Sequence, residues 1–433
     1  MECSDADGCE AAALKLRDMQ RPDADAELAV HRIMERVRRG GDRSLFELTE
    51  ELDGIRLKKL MLDTDEIGEL ASDVDDDVIE AMKTASANIT RFHSDSRPSG
   101  SLLRFDGSWL ERSYVPLRRV GIYVPGGIYA YPSTVLMASV PAKIAGVDDL
   151  VIFTPPDRDG SRIRYIAAAC QLSGVKRIFT VGGAQAIAAM AYGTESIRRV
   201  DKIVGPGNMY VAKAKAAALS MGLVGTDSIA GPTEILVIAD ATAYSEMEMI
   251  AYELLAQMEH GSGATAVLCS DSSELIEGVL KLLGEIISHS GKRTAMNLER
   301  NFASVHVRSP KLMGVFAEAY APEHLFAVGT VAEEIAEGLR NAGSVFIGKY
   351  SSVAFGDYIS GTNHILPTMG TARFSSPLQV SDFMKVVERQ KLSSVTAEKL
   401  SGFGSNLAEC EGLRIHSLCM RLRGDRAAAE KRR

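Results

Sequence analysis

Apolar residues recur with two different periods along this chain of 433 residues. From Ala24 to about Gly54 they stand at helical spacing, interrupted at Gly40 and Gly41, which predicts two helices around a turn. In the middle of the chain, short runs rich in valine and isoleucine alternate with helical stretches instead. The runs RVGIYV, DLVIFT, RIFTV and DKIVG stand about 25–30 residues apart, as parallel strands with helical crossovers do. They predict a doubly wound α/β domain over residues 118–230.

A second series of strand-like runs follows, EILVIAD, TAVLC and SVFIG, again with helical segments between them. The predicted fold class is therefore α/β, with two Rossmann-like doubly wound domains, one inserted in the other, and a helical C-terminal arm. The predicted boundaries are an N-terminal extension (1–23), a discontinuous first α/β domain with N-terminal helices (24–117 and 231–377), an inserted second α/β domain (118–230) and the arm (378–433).

Composition and charge restrict the function classes. Hydrophobic residues make up 46% and charged residues 24% of the chain, as in ordinary globular proteins. A net charge of −8 gives no overall basic field, so we expect no nucleic-acid partner. The opening residues MECSDADGCE lack a secretory pattern and no apolar run is long enough for a membrane span, so we expect a cytoplasmic location and no membrane partner. Six scattered cysteines without a CxxC pair indicate reduced thiols.

Three strands of the inserted domain run into glycine-rich turns, VPGG, VGGAQA and VGPGN. Glycine lets the backbone approach a ligand closely, and the free N–H groups of a following helix favour phosphate. None of the three is the GxGxxG dinucleotide fingerprint, and plain strand-to-helix turns are the alternative. Because three occur at successive strand ends, we predict a nucleotide at the carboxyl edge of this sheet. Gln185 and Asn208 stand inside two of the turns, where a side-chain amide could bond a ribose or carboxamide.

The segment SEMEMIAYELLAQMEH, from Ser245 to His260, predicts a helix, and Ser245 and Glu248 have the spacing of a capping box. Gln257 and His260 project from the same side of its last turn, where the helix dipole favours a cation. An amide oxygen and an imidazole nitrogen form half of a plausible zinc or manganese shell. A solvated helix end is the alternative.

Further polar clusters follow in loop-like segments. APEHL places Glu323 beside His324 in an otherwise apolar stretch, and such a pair can divide acid and base work, although an ordinary polar turn is the alternative. FGDYISGTNHILP carries Asp357 and His364, a possible third metal ligand and a further polar contact. The segment AECEGLRIHS near the end of the chain holds two more candidates, Glu411 and His416.

These residues carry a resemblance to a known family. The strings GIYVPGGIYAYPSTVLMASVPAKIAGV, VGGAQAIAAMAYGTES, VDKIVGPGNMYVAKAK, AGPTEILVIAD, LLAQMEH, APEHL and GDYISGTNHILPT resemble histidinol dehydrogenase, in that family's order and nearly its spacing, over about 24–422. The resemblance implies zinc- and NAD-dependent oxidation of L-histidinol to L-histidine through the aldehyde, the last step of histidine biosynthesis. It also implies that each subunit binds one zinc ion and uses two NAD molecules in turn at that site.

The resemblance further implies a role for each candidate residue. The zinc ligands would be Gln257, His260, Asp357 and His416. In the catalytic pair, His324 would take the alcohol proton and Glu323 would activate the water that attacks the aldehyde. Substrate would contact the zinc ligands, the catalytic pair, Thr233, His364 and Glu411, whereas NAD would contact Tyr123, Gln185 and Asn208. The family is also a homodimer whose arm crosses to the partner, so that Glu411 and His416 would complete the partner's site.

Two positions depart from the family pattern. Thr233 stands where serine is usual, and Gly261 follows His260 where aspartate is common. Both leave the implied ligands in place, but they bring another small polar alcohol, such as a sulfonated propanediol, into consideration as substrate. A second alternative is a zinc hydrolase with Glu323 as base and no nucleotide. A third is a binding protein that has lost the chemistry, against which the intact polar set argues.

Overall fold

The structure is a computed structural model that describes residues 1–18, 25–126, 129–227, 231–261, 263–289 and 291–432. They form two compact units, one of residues 1–96 and 117–383 and a smaller one of residues 97–116 and 384–433. Among the residues described, no helix combines the length and apolarity needed to cross a bilayer.

Helices and parallel strands dominate the larger unit. The helices of the chain are α1 (Ala6–Asp18), α2 (Asp25–Asp53), α3 (Thr64–Ala71), α4 (Asp76–Ser94), α5 (Pro132–Ala145), α6 (Ile163–Ser173), α7 (Gly183–Tyr192), α8 (Met209–Ser220), α9 (Met247–Met258), α10 (Ser273–Ile287), α11 (Lys292–Asn301), α12 (Pro310–Tyr320), α13 (Thr330–Gly338), α14 (Val353–Tyr358), α15 (Ser394–Cys410) and α16 (Arg414–Lys431). The strands are β1 (Glu2–Cys3), β2 (Met61–Leu62), β3 (Ser101–Phe105), β4 (Ser108–Pro116), β5 (Arg119–Tyr123), β6 (Asp149–Phe153), β7 (Ile178–Phe179), β8 (Lys202–Val204), β9 (Gly225–Thr226), β10 (Glu234–Ala239), β11 (Thr265–Ser270), β12 (Phe302–Val307), β13 (His324–Val328), β14 (Ser344–Ile347) and β15 (Met384–Lys391).

The first sheet has the order β2-β7-β6-β5-β8-β9 and is parallel except for β2, which runs against β7. Its strands are the four valine- and isoleucine-rich runs predicted from the sequence, with short strands added at both edges. The chain leaves β5 in one direction to β6 and β7 and returns to the other side as β8. The crevice between the carboxyl ends of β5 and β8 is therefore the switch point at which doubly wound sheets bind ligands.

The second sheet, β1-β12-β11-β10-β13-β14, is parallel throughout. Alternate residues of β10 belong to two different cores: Leu236 and Ile238 face one, and Ile235 and Val237 face the other. Both faces of this strand are thus covered, as is typical of parallel sheets. Each of these fully buried side chains contributes roughly 1.5–3 kcal/mol to folding.

The N-terminal residues belong to this second sheet. Strand β1 pairs with β12, with Glu2 opposite His306, and helix α1 packs on α12. The sequence had set residues 1–23 apart as an extension. Residues 1–18 instead supply an edge strand and a covering helix, because the apolar face of α1, with Cys9, Ala13 and Leu16, is buried in the core of this sheet.

Residues 25–96 are placed differently from the sequence assignment, which joined them to the second sheet. Helix α2 packs on α7 and α8, α3 packs on α6, and α4 packs on α5. The helices α5 to α8 are the ones that connect the strands of the first sheet. Strand β2 also joins that sheet. The physical reason is the apolar stripe of α2, which includes Val30, Met34, Leu45 and Leu48, all buried against the first core. The turn predicted at Gly40 and Gly41 is confirmed by a non-helical Gly41 inside α2.

The smaller unit confirms the predicted helical C-terminal arm and adds a sheet that the sequence did not predict. Strand β15 pairs antiparallel with β4 over its whole length, and β4 pairs with β3, which gives a three-stranded sheet. The arm thus begins with a strand, followed by the helical hairpin α15–α16. Val386 and Val387 favour the strand, which the sequence pattern alone did not reveal.

The helix predicted from Ser245 to His260 is shorter than expected. A 3₁₀ turn occupies Ala241–Glu246, and α9 covers Met247–Met258. The predicted capping box is wrong. Helix α9 is preceded by Glu246, whose side chain makes no cap, and the Ser245 hydroxyl donates to the Glu246 carboxylate. The last turn of α9 still carries Gln257, and His260 lies just beyond it.

Candidate active site

The predicted catalytic and metal-binding side chains of the larger unit meet at the amino ends of β10 and β13. Thr233 immediately precedes β10, and Glu323 and His324 stand where β13 begins, adjacent to it in the sheet. Gln257 comes from the last turn of α9, and Asp357 comes from the short helix α14. All except Thr233 are buried, and Thr233 is half-buried.

A chain of hydrogen bonds orients the Glu323 carboxylate. Its Oε2 accepts from the Thr233 hydroxyl at 2.6 Å and from the Glu234 backbone N–H at 2.8 Å. The Thr233 oxygen in turn accepts from the Gln257 amide nitrogen at 2.8 Å. Because the amide nitrogen is used in this way, Oε1 of Gln257 is the atom left to contact a ligand.

The contacts of His324 decide the position of its ring proton. Its Nδ1 lies 3.2 Å from the Glu234 backbone carbonyl, which can only accept, so Nδ1 carries the hydrogen. Its Nε2 is buried without a hydrogen-bond partner among the described residues, and the nearest charged atom is Oδ1 of Asp357 at 3.5 Å. Nε2 is therefore the ring atom that can exchange a proton, and the Asp357 carboxylate beside it favours the protonated ring.

Burial shifts the titration of this adjacent pair. Removal from water raises the pKa of Glu323 to about 7, although the His324 charge and the bonds from Thr233 and Glu234 act against it. Burial alone would lower the pKa of His324, but the neighbouring carboxylates of Glu323 and Asp357 outweigh it and raise that pKa to about 9. Buried acid–base pairs with shifted pKa values are typical of sites that move protons near neutral pH.

Asp357 lies between two imidazoles. Its Oδ1 is 3.5 Å from His324 Nε2, and its Oδ2 is 4.0 Å from His260 Nε2. Burial lowers the pKa of His260, which favours the neutral ring that a metal requires. Among the described residues of this single chain, no group of three or more histidine, cysteine, aspartate and glutamate side chains is placed to hold a metal. His260 and Asp357 alone make a pair, to which Gln257 adds an amide oxygen.

His364 is brought to the same site but with both ring nitrogens engaged. Its Nδ1 donates to the Asp357 backbone carbonyl at 2.8 Å, and its Nε2 lies 3.1 Å from the Thr134 hydroxyl. Thr134 lies in α5, the helix that follows β5, so His364 links the catalytic cluster to the switch point of the first sheet. Glu411 and His416 lie in the smaller unit, where both side chains are exposed.

The residues predicted to contact a nucleotide stand at the carboxyl ends of first-sheet strands. Tyr123 ends β5, and its buried hydroxyl accepts from the Gly183 N–H at 3.0 Å; burial raises its pKa to about 12. Oε1 of Gln185 is buried with no partner among the described residues, which is costly unless a ligand supplies a donor. Asn208 caps α8 by accepting from the Tyr210 and Val211 N–H groups, both at 3.1 Å.

Comparison with known proteins identifies the family. The family described as histidinol dehydrogenase matches residues 16–424. The chain belongs to the histidinol dehydrogenase family. Family membership makes it an oxidoreductase of the histidinol dehydrogenase type, an enzyme class of histidine biosynthesis.

Individual relatives agree with the histidinol dehydrogenase assignment over nearly their whole lengths. The histidinol dehydrogenase of Methanothermobacter thermautotrophicus is 43% identical over 417 residues, covering 96% of this chain and 95% of that protein. The enzyme of Clostridium acetobutylicum is 42% identical over 394 residues, covering 90% of each. The crystal structure of histidinol dehydrogenase from Elizabethkingia anophelis superposes with a TM-score of 0.86 at 34% identity, covering 93% of each chain.

Sequence reasoning missed two residues of this histidinol dehydrogenase site, Glu234 and Arg17. Glu234 is buried at the first position of β10, where it contacts both members of the proposed catalytic pair. The sequence does contain a signal for Glu234, because a buried acid at the start of an apolar strand needs a hydrogen-bonding or charged partner. Arg17 pairs with Glu234 from α1, a contact between residues far apart in the chain that no local pattern predicts.

Proposed function

We propose that this chain oxidises L-histidinol to L-histidine through the aldehyde, using two NAD in turn and one zinc ion per subunit. The observation that carries the proposal is the buried Nε2 of His324, which lies 3.5 Å from Oδ1 of Asp357, with Glu323 as the adjacent residue. That arrangement supplies a base for an alcohol and a second carboxylate base for water.

The donor set of the larger unit fits zinc. Oε1 of Gln257, Nε2 of His260 and the Asp357 carboxylate would supply nitrogen and oxygen ligands, with His416 of the partner subunit as the fourth ligand. When bound, zinc would hold the substrate amine and imidazole and polarise the reacting oxygen. These are the residues that the family resemblance implies.

The proton steps follow from the hydrogen bonds of the chain. His324 Nε2 would accept the alcohol proton, and loss of a hydride from the same substrate carbon would give the aldehyde. NAD, when bound, would supply the hydride acceptor for each of the two oxidations. Glu323, held through Oε2 by Thr233 and the Glu234 N–H, removes a proton from the water that attacks the aldehyde. Loss of a second hydride from the hydrate would give the carboxylate product. Two hydrides leave and one water is consumed, which balances the four-electron oxidation.

NAD is proposed to bind at the switch point of the first sheet. Tyr123, Gln185 and Asn208 surround the carboxyl ends of its strands, and the unpartnered Gln185 oxygen can accept from a carboxamide or ribose hydroxyl. Thr233, His364 and the partner's Glu411 are the proposed further substrate contacts. The His364 ring, fixed by Thr134 and Asp357, lies between the two regions.

The proposed assembly is a homodimer in which the arm of one chain completes the site of the other. Support comes from the helical hairpin of the smaller unit, whose side chains include many exposed apolar residues, Leu400, Phe403, Leu407, Leu413, Ile415, Leu418 and Leu422. An apolar surface of this kind marks a protein–protein interface.

A substrate panel tests the proposal. Formation of NADH with L-histidinol, followed by absorbance at about 340 nm with and without a chelator, is expected to require metal and to stop in His324→Ala. A sulfonated propanediol serves as the comparison alcohol. Turnover that survives chelation contradicts the zinc role. Faster oxidation of the sulfonated alcohol contradicts the substrate, and ester or amide hydrolysis without NAD would favour the zinc hydrolase.

A further inference from the structure

Glu234 contacts both proposed catalytic residues from one position in the sheet. Its backbone N–H donates to Glu323 Oε2 at 2.8 Å, and its backbone carbonyl accepts from His324 Nδ1 at 3.2 Å. Its side chain is 1% exposed, and Oε1 accepts from the Glu323 N–H at 3.2 Å and from the Met369 N–H at 3.1 Å. One residue therefore holds the backbone and side chain of Glu323 and the ring of His324.

A buried carboxylate of this kind needs a counter-charge, which Arg17 supplies from the N-terminal helix α1. Its guanidinium forms an ion pair with Glu234 and is itself only 11% exposed. Arg17 Nε also donates to the Tyr320 carbonyl at 2.7 Å, and Nη2 donates to the Ala321 carbonyl at 3.0 Å. The guanidinium lies 3.7 Å from the centre of the Tyr320 ring. The planar fork of arginine makes all these contacts at once, which lysine cannot do.

The carbonyls that Arg17 holds belong to a strained turn. Ala321 has φ of +48°, a left-handed conformation that residues other than glycine rarely adopt. This turn ends α12 and stands two residues before Glu323. Such strain persists only where surrounding contacts enforce it, and Arg17 provides those contacts.

We propose that Arg17 and Glu234 are positioning residues for the Glu323–His324 pair, so that the N-terminal helix takes part in organising the active site. The inference rests on the proposed roles of Glu323 and His324. It predicts that loss of either residue lowers kcat far more than it changes KM, because neither residue belongs to the proposed substrate or zinc contacts. A displacement of catalytic groups by about 1 Å can reduce turnover by about 100-fold.

The variants Glu234→Gln, Arg17→Met and Arg17→Lys test the pair, with Arg119→Met as the matched control. Arg119 is likewise a buried arginine paired with an aspartate, Asp149, but it contacts neither catalytic residue. We expect Glu234→Gln and Arg17→Met to lower kcat by roughly 10–100-fold with KM for histidinol within about threefold of wild type. Arg17→Lys should retain more activity than Arg17→Met. Arg119→Met should lower Tm and leave the kcat of the folded enzyme unchanged.

The double variant Arg17→Met with Glu234→Gln separates positioning from general destabilisation. Because both residues act through one carboxylate, the combined loss in kcat should be close to the larger single loss rather than their product. Losses that multiply, or a wild-type kcat in Arg17→Met measured well below its Tm, would overturn the proposal.

Crystal structures of wild type and Glu234→Gln provide a readout that does not need turnover. We expect the Glu323 carboxylate and the turn at Ala321 to shift by more than about 0.5 Å, the tolerance of a preorganised site. An unmoved Glu323 in Glu234→Gln contradicts positioning even if the enzyme is active. Failure of wild type to oxidise histidinol would instead contradict the proposed function, and the structural comparison would still decide this inference.

Discussion

Thr233 is a proposed substrate contact that also bonds to a proposed catalytic residue. Its hydroxyl donates to Glu323 and accepts from Gln257, so it connects the proposed water-activating base to a proposed zinc ligand. Thr233→Ala should lower kcat about tenfold, the effect of losing one hydrogen bond to a charged group. Steady-state rates with histidinol measure this loss, and Thr233→Ser, which keeps the hydroxyl, is the control. Equal activity of the alanine and serine variants would contradict the hydrogen-bond chain.

His93 provides a test of acid sensitivity outside the active site. Burial lowers its pKa, so the unfolded chain binds a proton more readily than the folded one as pH falls below about 6.5. The stability contributed by neutral His93 is present above that pH and is lost as pH falls toward the folded-state pKa. Between about pH 7.5 and pH 5.5, Tm should therefore drop less in His93→Gln than in wild type.

The control for this measurement is His31→Gln, at an exposed histidine. It should follow the wild-type pH profile of Tm, because that side chain is not removed from water. His260 and His364 also have pKa values lowered by burial, and they contribute equally in all three chains. Parallel profiles for His93→Gln and wild type would show that His93 does not titrate on unfolding.

At the scale of single residues, the sequence could suggest candidate site residues but not their orientations. Gln257 and Asp357 were found because amide and carboxylate oxygens stood in segments with a metal-binding character. The tautomer of His324 depends on the Glu234 carbonyl, and the amide orientation of Gln257 depends on Thr233, so neither could be read from spacing. Both side-chain orientations depend on contacts between different elements of the fold.

The helix caps that follow β8 and β10 differ in charge. Asn208 caps α8 after β8, and Asp240, after β10, accepts from Thr242 and from the N–H groups of Val331 and Ala332 that open α13. The carboxylate of Asp240 thus fills the position where a phosphate would bind at a helix start. The start of α13 is thus closed by the protein's own anion, whereas the start of α8 is capped by a neutral amide.

The caps yield a paired prediction at the level of elements. Asn208→Ala and Asp240→Ala should each lower stability by about 1–2 kcal/mol through loss of a cap. Only Asn208→Ala should also raise KM for NAD. Thermal unfolding and NAD titration at saturating histidinol measure the two effects, and Asn208→Ser, which can still cap, separates capping from NAD contact. A raised KM for NAD in Asp240→Ala would contradict the assignment of NAD to the first sheet alone.

Strand prediction succeeded where apolar runs were long and failed where polar residues opened or interrupted them. The seven predicted strands β5, β6, β7, β8, β10, β11 and β14 are confirmed. Strand β13, which begins with His324, and strand β12, which contains His306 and Ser304, are not predicted by the sequence pattern. Strand β15, with its mostly exposed polar side chains, is defined by pairing with β4 rather than by its own pattern.

In the larger unit, the proposed NAD contacts and the proposed catalytic pair lie at opposite strand ends of two different sheets. The proposed NAD contacts follow the carboxyl ends of first-sheet strands, while Glu323 and His324 stand at the amino end of the second sheet. The rule that ligands bind at the carboxyl ends of parallel strands predicts a nucleotide site in the first sheet. The same rule gives no reason to expect a catalytic pair at the amino ends of strands in the second sheet. The two separate sheets could be inferred from the strand-like runs, but the pairing of β1 with β12 and the choice of covering helices could not, since both depend on tertiary packing.

The exposed apolar residues of the α15–α16 hairpin lead to a prediction about the assembly. Phe403 is 75% and Ile415 is 70% exposed, which is unfavourable unless another surface covers them. Phe403→Glu with Ile415→Glu should convert the proposed dimer to monomers and abolish turnover, as measured by light scattering and NADH formation. The control is Leu52→Glu in α2, which makes a hydrophobic-to-acidic change at another exposed position. It should leave the mass of the assembly unchanged. An active monomer would show that each chain completes its own site.

Mixed dimers decide which chain contributes His416. In the proposed homodimer each site combines Glu323 of one chain with His416 of the other. A purified mixed dimer with His416→Ala on one chain and Glu323→Gln on the other then keeps one intact site of two, and about half of wild-type activity. The matched control carries both substitutions on a single chain opposite a wild-type partner, and it should be inactive because neither site is complete. If each chain instead supplied its own His416, the two results would be reversed, with activity in the control and none in the first dimer. Differently tagged chains, co-expressed and isolated by two affinity steps, allow both dimers to be compared at equal protein concentration.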